Sequence, residues 1–281
     1  MPLVRLFPLL LLFWMALSQA GKVPLALEGP LEQGALVFGR TEPGARVVFD
    51  GEPVPVSPGG DFLIGFSREA PPRSRLEVVL PDGTRIEREL KVARRAYRIQ
   101  RIDGLPPAKV TPRKKEDLER IRRDVALVKR ARARVDERTD FLKGFRWPVK
   151  GPITGVYGSQ RILNGKPRRP HYGVDIAGPV GTPVRAPADG IVTLAVPDMF
   201  YSGGTLIMDH GHGLSSTFMH LHRILVKEGE RVKQGQVVAE LGATGRVTGP
   251  HLDWRMNLRG KRLDPQTVVG PMETDKTEKN R

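Results

Sequence analysis

Two short strings carry side chains suited to chemistry, His171-Tyr172-Gly173-Val174-Asp175 and His251-Leu252-Asp253-Trp254. Each sets polar, metal-competent residues inside a run of Gly, Pro, Val and Ala that otherwise reads as tight turns and buried strand. Zinc takes imidazole nitrogen and carboxylate oxygen, and a catalytic zinc has three protein ligands and an open position for water. His251 and Asp253 are two apart, so an extended strand points both to one face, about 7 Å apart at the base. One can hold a metal while the other works on a substrate. His171 and Asp175 are four apart, an even separation that shares a strand face, with Gly173 marking a bend between them. Met219-His220-Leu221-His222 repeats the i, i+2 arrangement after the β-rich run Leu214 to Phe218.

The elements that must position these residues are short strands: Pro183 to Ala186, Gly190 to Ala195, Gly204 to Asp209, Gly213 to His220 and Val237 to Gly242. The basic stretch Arg161 to Arg169 reads as a loop on the lip of the site, where Arg161, Arg168 and Arg169 either meet carboxylates of an acidic peptide or face solvent. In Asp209-His210-Gly211-His212-Gly213 the two histidines read as turn residues, since His tolerates unusual backbone angles. His222 sits at a strand end, with a smaller claim on the site. Val226 to Val237 also resembles a stretch of lipoyl- and biotinyl-type carriers, but no modifiable Lys occupies a hairpin tip, so it reads as shared β architecture.

These motifs together resemble a known family. His171-x-x-x-Asp175, the run from Gly173-Val174-Asp175-Ile176-Ala177 to Ala186-Pro187-Ala188-Asp189-Gly190, then His220-Leu221, then Thr248-Gly249-Pro250-His251-Leu252 are similar to the lysostaphin-type, LytM-like zinc endopeptidases that cut peptide cross-links of bacterial peptidoglycan. The resemblance runs from about Trp147 to Pro265. It implies zinc ligands at His171 and Asp175, a catalytic histidine at His220, and a closing His-x-His whose first member, His251, is catalytic and whose second is the third ligand. This chain has Asp253 at that last position. Two carboxylates and one imidazole would cancel the charge of the ion and weaken its pull on water, so Asp253→His is expected to tighten zinc binding. A carboxylate is also harder than imidazole, which makes manganese or another oxygen-preferring ion more competitive.

Upstream, alternating segments at Ala35 to Phe38, Arg46 to Phe49, Asp61 to Phe66, Arg75 to Leu80 and Thr84 to Val92 are separated by Pro, Gly and Asp turns. That pattern predicts a small antiparallel, Ig-like β-sandwich with a structural or docking role. From Arg113 to about Arg138, Leu118, Ile121, Val125, Val128 and Ala131 recur at helical spacing among Lys and Arg, predicting a basic amphipathic linker helix. Met1 to Ala20 has Arg5, an apolar run and small residues at Ser18 and Ala20, which reads as an export signal. Its apolar run is shorter than the 20 or so residues of a membrane span.

The chain of 281 residues has no cysteine, so neither a disulfide nor a Cys-type zinc site is available. Its formal charge of +15 calls for an acidic partner, and for an exported protein that is the anionic cell wall or membrane surface rather than nucleic acid. The resulting expectation is a mainly β protein divided as a signal peptide (1–20), a sandwich (21–103), a linker (104–144), a mostly antiparallel metallopeptidase domain (145–270) and a disordered tail (271–281). Its expected work, in the periplasm or outside the cell, is zinc-dependent hydrolysis of stem or cross-bridge peptides in peptidoglycan, with cell-envelope or divisome proteins as further partners. Membrane contact is expected only through the signal segment. The alternative is an inactive LytM-like module that binds the wall and regulates another hydrolase.

Overall fold

The computed structural model describes residues 24–102, 114–163 and 165–272; the expected signal segment and most of the expected tail lie outside the described residues. The chain is mainly β. The N-terminal part holds β1 (Leu25–Glu28), β2 (Leu36–Thr41), β3 (Arg46–Phe49), β4 (Glu52–Val54), β5 (Asp61–Gly65), β6 (Arg73–Val79) and β7 (Arg85–Lys91), of which β2, β3, β5, β6 and β7 follow the expected alternating segments and β1 and β4 are additional. They form two antiparallel sheets, ordered β1-β2-β5 and β4-β3-β6-β7. Alternate residues such as Val37, Phe62 and Ile64 from one sheet and Val47, Leu76 and Val78 from the other fill a common core. Asp82-Gly83 makes the β6–β7 turn, with Gly83 at φ 88°.

The helix is shorter than the sequence predicts. It runs Lys115–Ala131 (α1), and the chain beyond it is captured by tertiary contacts instead: Arg132 Nη2 donates to Thr217 Oγ1 at 2.8 Å, and His212 N–H donates to the Asp136 carbonyl. The face that packs is also rotated from the predicted one. Ala131, Leu127 and Val128 sit against Leu194, Val196, Met199 and Ile207, while Val125 is 62% exposed. Asp124 shares the packed side and accepts a hydrogen bond from Phe200 N–H at 2.7 Å. Among the described residues no helix is long and apolar enough to cross a membrane.

After β8 (Ile99–Ile102) and α1 come β9 (Ile153–Gly155), β10 (Gln160–Leu163), β11 (Lys166–Pro167), β12 (Val174–Ala177), β13 (Pro183–Arg185), β14 (Gly190–Met199), β15 (Gly203–Asp209) and β16 (Leu214–Leu221). Then follow β17 (Arg223–Ile224), β18 (Arg231–Val232), β19 (Val237–Glu240), β20 (His251–Leu258) and β21 (Lys261–Leu263). The main sheet is antiparallel, ordered β18-β14-β15-β16-β20-β12-β9, with β21 also on β20. The predicted basic loop is a hairpin: β10 and β11 pair with each other, and β10 runs parallel to β8. The partner strand lies some sixty residues upstream, which no local pattern reveals.

The N-terminal part is fused to this sheet. Leu36 and Leu63 belong to the same core as Phe141, Leu258 and Leu263. Arg95 Nη1 meets Asp264 Oδ2 at 2.8 Å, and Arg259 Nη2 donates to the Leu63 carbonyl at 2.7 Å.

Candidate active site

Strand β20 is the axis of the site. Its period of two sends Leu252, Trp254, Met256 and Leu258 into the core and His251, Asp253, Arg255 and Asn257 to the opposite face. Beside it, β12 places Asp175 directly opposite Asp253. Two glycines make room for these carboxylates. A Cβ at Gly155 would come within 2.1 Å of Asp175 Oδ2, and one at Gly173 within 2.5 Å of Asp253 Oδ1.

His171 arrives on the loop before β12. Its N–H donates to the Ser159 carbonyl and its own carbonyl accepts from Gly158 N–H, both at 2.8 Å. Its Nε2 lies 3.1 Å from Asp175 Oδ1 and 3.2 Å from Asp253 Oδ2. One donor atom from each of His171, Asp175 and Asp253 can be chosen so that all lie within 4.8 Å of one another. Donors around a tetrahedral zinc with bonds of about 2.1 Å sit roughly 3.4 Å apart. Asp175 Oδ1, buried, makes no hydrogen bond of good geometry. An oxygen in that position, among nitrogen and oxygen donors, fits a cation.

The electrostatics agree. Burial alone would lower the His171 pKa, but hydrogen bonds and charge from Asp175 and Asp253 outweigh it and raise it to about 10. Burial works against the Asp253 carboxylate too, yet Arg255 and His171 hold it well below the usual carboxylate range. Arg255 is the residue that sequence reasoning missed. Its Nε lies 2.9 Å from Asp253 Oδ1 and its Nη2 2.6 Å from Oδ2, a two-pronged clamp. The period-two rule that groups His251 with Asp253 extends to Arg255, so a signal for it was present.

His220 and His251 stand beside the three donors, their rings 4.9 Å apart. On a regular strand His220 would follow Phe218 toward the core. Its φ of 64° turns it to the site's side instead, and its N–H is anchored on the Ser202 carbonyl at 2.8 Å. Nδ1 of His220 donates to the Thr244 carbonyl and Nδ1 of His251 to the Gly249 carbonyl, both at 2.9 Å, which leaves each Nε2 as the free lone pair. Burial lowers the His220 pKa, which favours the neutral ring.

The remaining histidines lie apart. His210 is in the core, with Nδ1 donating to the Asp189 carbonyl at 2.7 Å and Nε2 accepting from Ser216 Oγ at 2.9 Å. His212 takes the turn conformation, φ 52°, and packs on Phe141. His222 is exposed, with its N–H on the Glu240 carbonyl. Arg169 is exposed and Arg168 is half-buried; the side chain of Arg161 lies outside the described residues.

Comparison with known proteins places this arrangement. The profile of Peptidase family M23 matches residues 169–265. The peptidoglycan DD-endopeptidase ShyC of Vibrio cholerae is 43% identical over 109 residues, 39% of this chain and 25% of that protein. ShyB, a peptidoglycan DD-endopeptidase of the same organism, is 40% identical over 129 residues, 46% of this chain and 28% of that protein. The chain therefore spans about a quarter of the length of these curated relatives. A Pseudomonas aeruginosa protein of known crystal structure, assigned to peptidase M23, is 31% identical and superposes with a TM-score of 0.61 over 86% of this chain and 91% of that one. That likeness takes in the N-terminal part as well as the site, and on it the chain belongs to peptidase family M23.

Proposed function

We propose that the protein is an exported endopeptidase that hydrolyses peptide bonds in peptidoglycan, using one divalent metal, zinc, held by His171, Asp175 and Asp253. The observation that carries this reading is the convergence of those three donors beside two histidines whose rings lie 4.9 Å apart, with His251 Nε2 3.8 Å from Asp175 Oδ1. When bound, the ion supplies Lewis acidity for the scissile carbonyl and for water. His220 and His251, each with Nδ1 tied to a backbone carbonyl, accept a proton at Nε2 and, once protonated there, donate it to the developing oxyanion or the leaving amine. The names of the relatives point to peptidoglycan stem or cross-bridge peptides as the substrate class, and that substrate locates the work in the periplasm or outside the cell. We read the N-terminal two-sheet part, 21–103, as an Ig-like docking module, 104–144 as its linker and 145–270 as the catalytic domain.

Arg255 changes the expectation for Asp253. Two carboxylates and one guanidinium carry the same formal charge as one carboxylate with two neutral imidazoles. The clamp at 2.6 Å and 2.9 Å thus returns the positive charge that the second carboxylate removes, and leaves Asp253 an oxygen lone pair for the ion. On this account Asp253→His by itself weakens metal binding, the reverse of what the sequence alone predicts.

Digestion of purified peptidoglycan, with the products read by mass, tests the reading. New peptide termini with wild type and none with His220→Ala are expected. Tight sacculus binding without products in zinc or manganese would instead establish the regulatory alternative.

A further inference from the structure

The face of β20 that carries Asp253 continues past the metal donors into a group of cations. Across the sheet, Thr217 lies opposite Arg255, Ser215 opposite Asn257, and Arg262 of β21 opposite Asn257 on the other side. Arg132 reaches this face from the end of α1 and is held by Thr217 Oγ1 at 2.8 Å. Arg255 is neutralised by Asp253. Arg132 and Arg262 are not: among the described residues no carboxylate pairs with either, and the charges they feel most strongly are those of other arginines. Burial, then Arg262 and Arg255, push the Arg132 guanidinium down to about 9, still charged at neutral pH. Burial, then Arg255 and Arg169, lower Arg262 in the same way. Arg132 Nε, Asn257 Nδ2 and Ser215 Oγ are buried there without hydrogen-bond partners. Half-buried cations without a counter-charge are costly, and an anion offsets that cost.

We infer that this face is an anion subsite in which Arg132 and Arg262 receive a carboxylate of the peptide substrate. The inference rests on the peptidase reading and adds a substrate preference to it. Strand spacing sets the reach: Arg255 is about 7 Å and Asn257 about 14 Å from Asp253 along β20. An extended peptide advances about 3.3–3.6 Å per residue, so the bound carboxylate lies some two to four residues from the scissile bond. A charge-assisted pair at this position would discriminate between an acid and its amide by at least about ten-fold.

The test uses two synthetic stem peptides that are identical except for a terminal carboxylate or carboxamide at that distance. Their binding to the full-length, zinc-loaded protein is measured by calorimetry, and their cleavage is followed in parallel. Wild type should bind the acid at least about ten-fold more tightly than the amide. In Arg132→Gln/Arg262→Gln the gap should close to within about three-fold, and in Arg132→Lys/Arg262→Lys, which keeps the charges, most of it should remain. Should the double Gln chain fail to fold, the single Gln variants carry the same comparison. No gap in wild type, or a gap unchanged without the arginines, overturns the inference. If the gap follows the arginines while neither peptide is cut in zinc or manganese, the subsite stands and the peptidase reading falls.

Discussion

Both faces of β20 carry fully buried residues, and burial alone therefore does not separate core from site. Leu252, Trp254 and Met256 have no exposed surface, while Asp253 and Asn257 on the other face are only 2% and 3% exposed. What differs is how desolvation is answered. One face replaces water with close-packed apolar contacts; the other replaces it with the Arg255 clamp, the His171 contact and donors left waiting. A strand built this way ties fold and site to one register, because a one-residue slip would exchange the faces. Changing one face and measuring the other tests this division of labour.

The largest effect is expected on the apolar side. Trp254 is fully buried, packs against Trp147 at 5.9 Å between ring centroids, and donates from Nε1 to Ser216 Oγ at 3.3 Å. Trp254→Ala should cost about 3–5 kcal/mol by chemical denaturation. Metal content per folded molecule should stay near wild type. A variant that keeps its stability and loses its metal would show that the faces do not divide the work as described.

A pH experiment probes the polar thread that runs through the same core, from Trp254 through Ser216 to His210 and the Asp189 carbonyl. Burial, only partly offset by the bond to Asp189, pushes the His210 pKa down to about 4 from an ordinary value near 6.5. The unfolded chain therefore takes up a proton that the folded chain refuses. This contribution to stability is complete above about pH 6.5 and is lost as the pH falls toward 4, by about 3 kcal/mol in total. Denaturation at pH 7 and pH 4.5 should show the loss in wild type and a smaller one in His210→Gln. Equal losses in the two proteins would assign the acid sensitivity elsewhere.

The smallest effect concerns charge on the site face. Asp253→His leaves Arg255 without its counter-charge, and chelator competition should find zinc bound about ten-fold more weakly. Adding Arg255→Gln should bring affinity back to within about three-fold of wild type. Tighter binding by the single variant would mean that the guanidinium charge does not reach the ion.

The strands and turns were legible because their cause is local: alternation through Arg46–Phe49 or Asp61–Gly65, and Pro, Gly or Asp where the chain must reverse. The three residues that converge as candidate metal donors, His171, Asp175 and Asp253, were singled out by their ligand chemistry. Features that depend on distant partners were not. The pairing of β10 with β8, the end of α1 at Ala131 and the choice of its packed face are each decided by another part of the chain. The turn of His220 toward the site is a single backbone angle, and nothing in Met219-His220-Leu221 marks it. Arg255 lies one further step along the same alternation that puts His251 and Asp253 on one face.

The shared packing of Leu36 and Leu63 with Leu258 and Leu263 has a thermodynamic consequence. The hairpin that carries Asp253 and Arg262 is roofed by residues from the first seventy of the chain, and Gly65 sits where any side chain would press on Leu263. Melting should accordingly be one cooperative event, with calorimetric and van't Hoff enthalpies in agreement. A fragment starting after the helix would expose the undersurface of its own site strand and would favour self-association over catalysis.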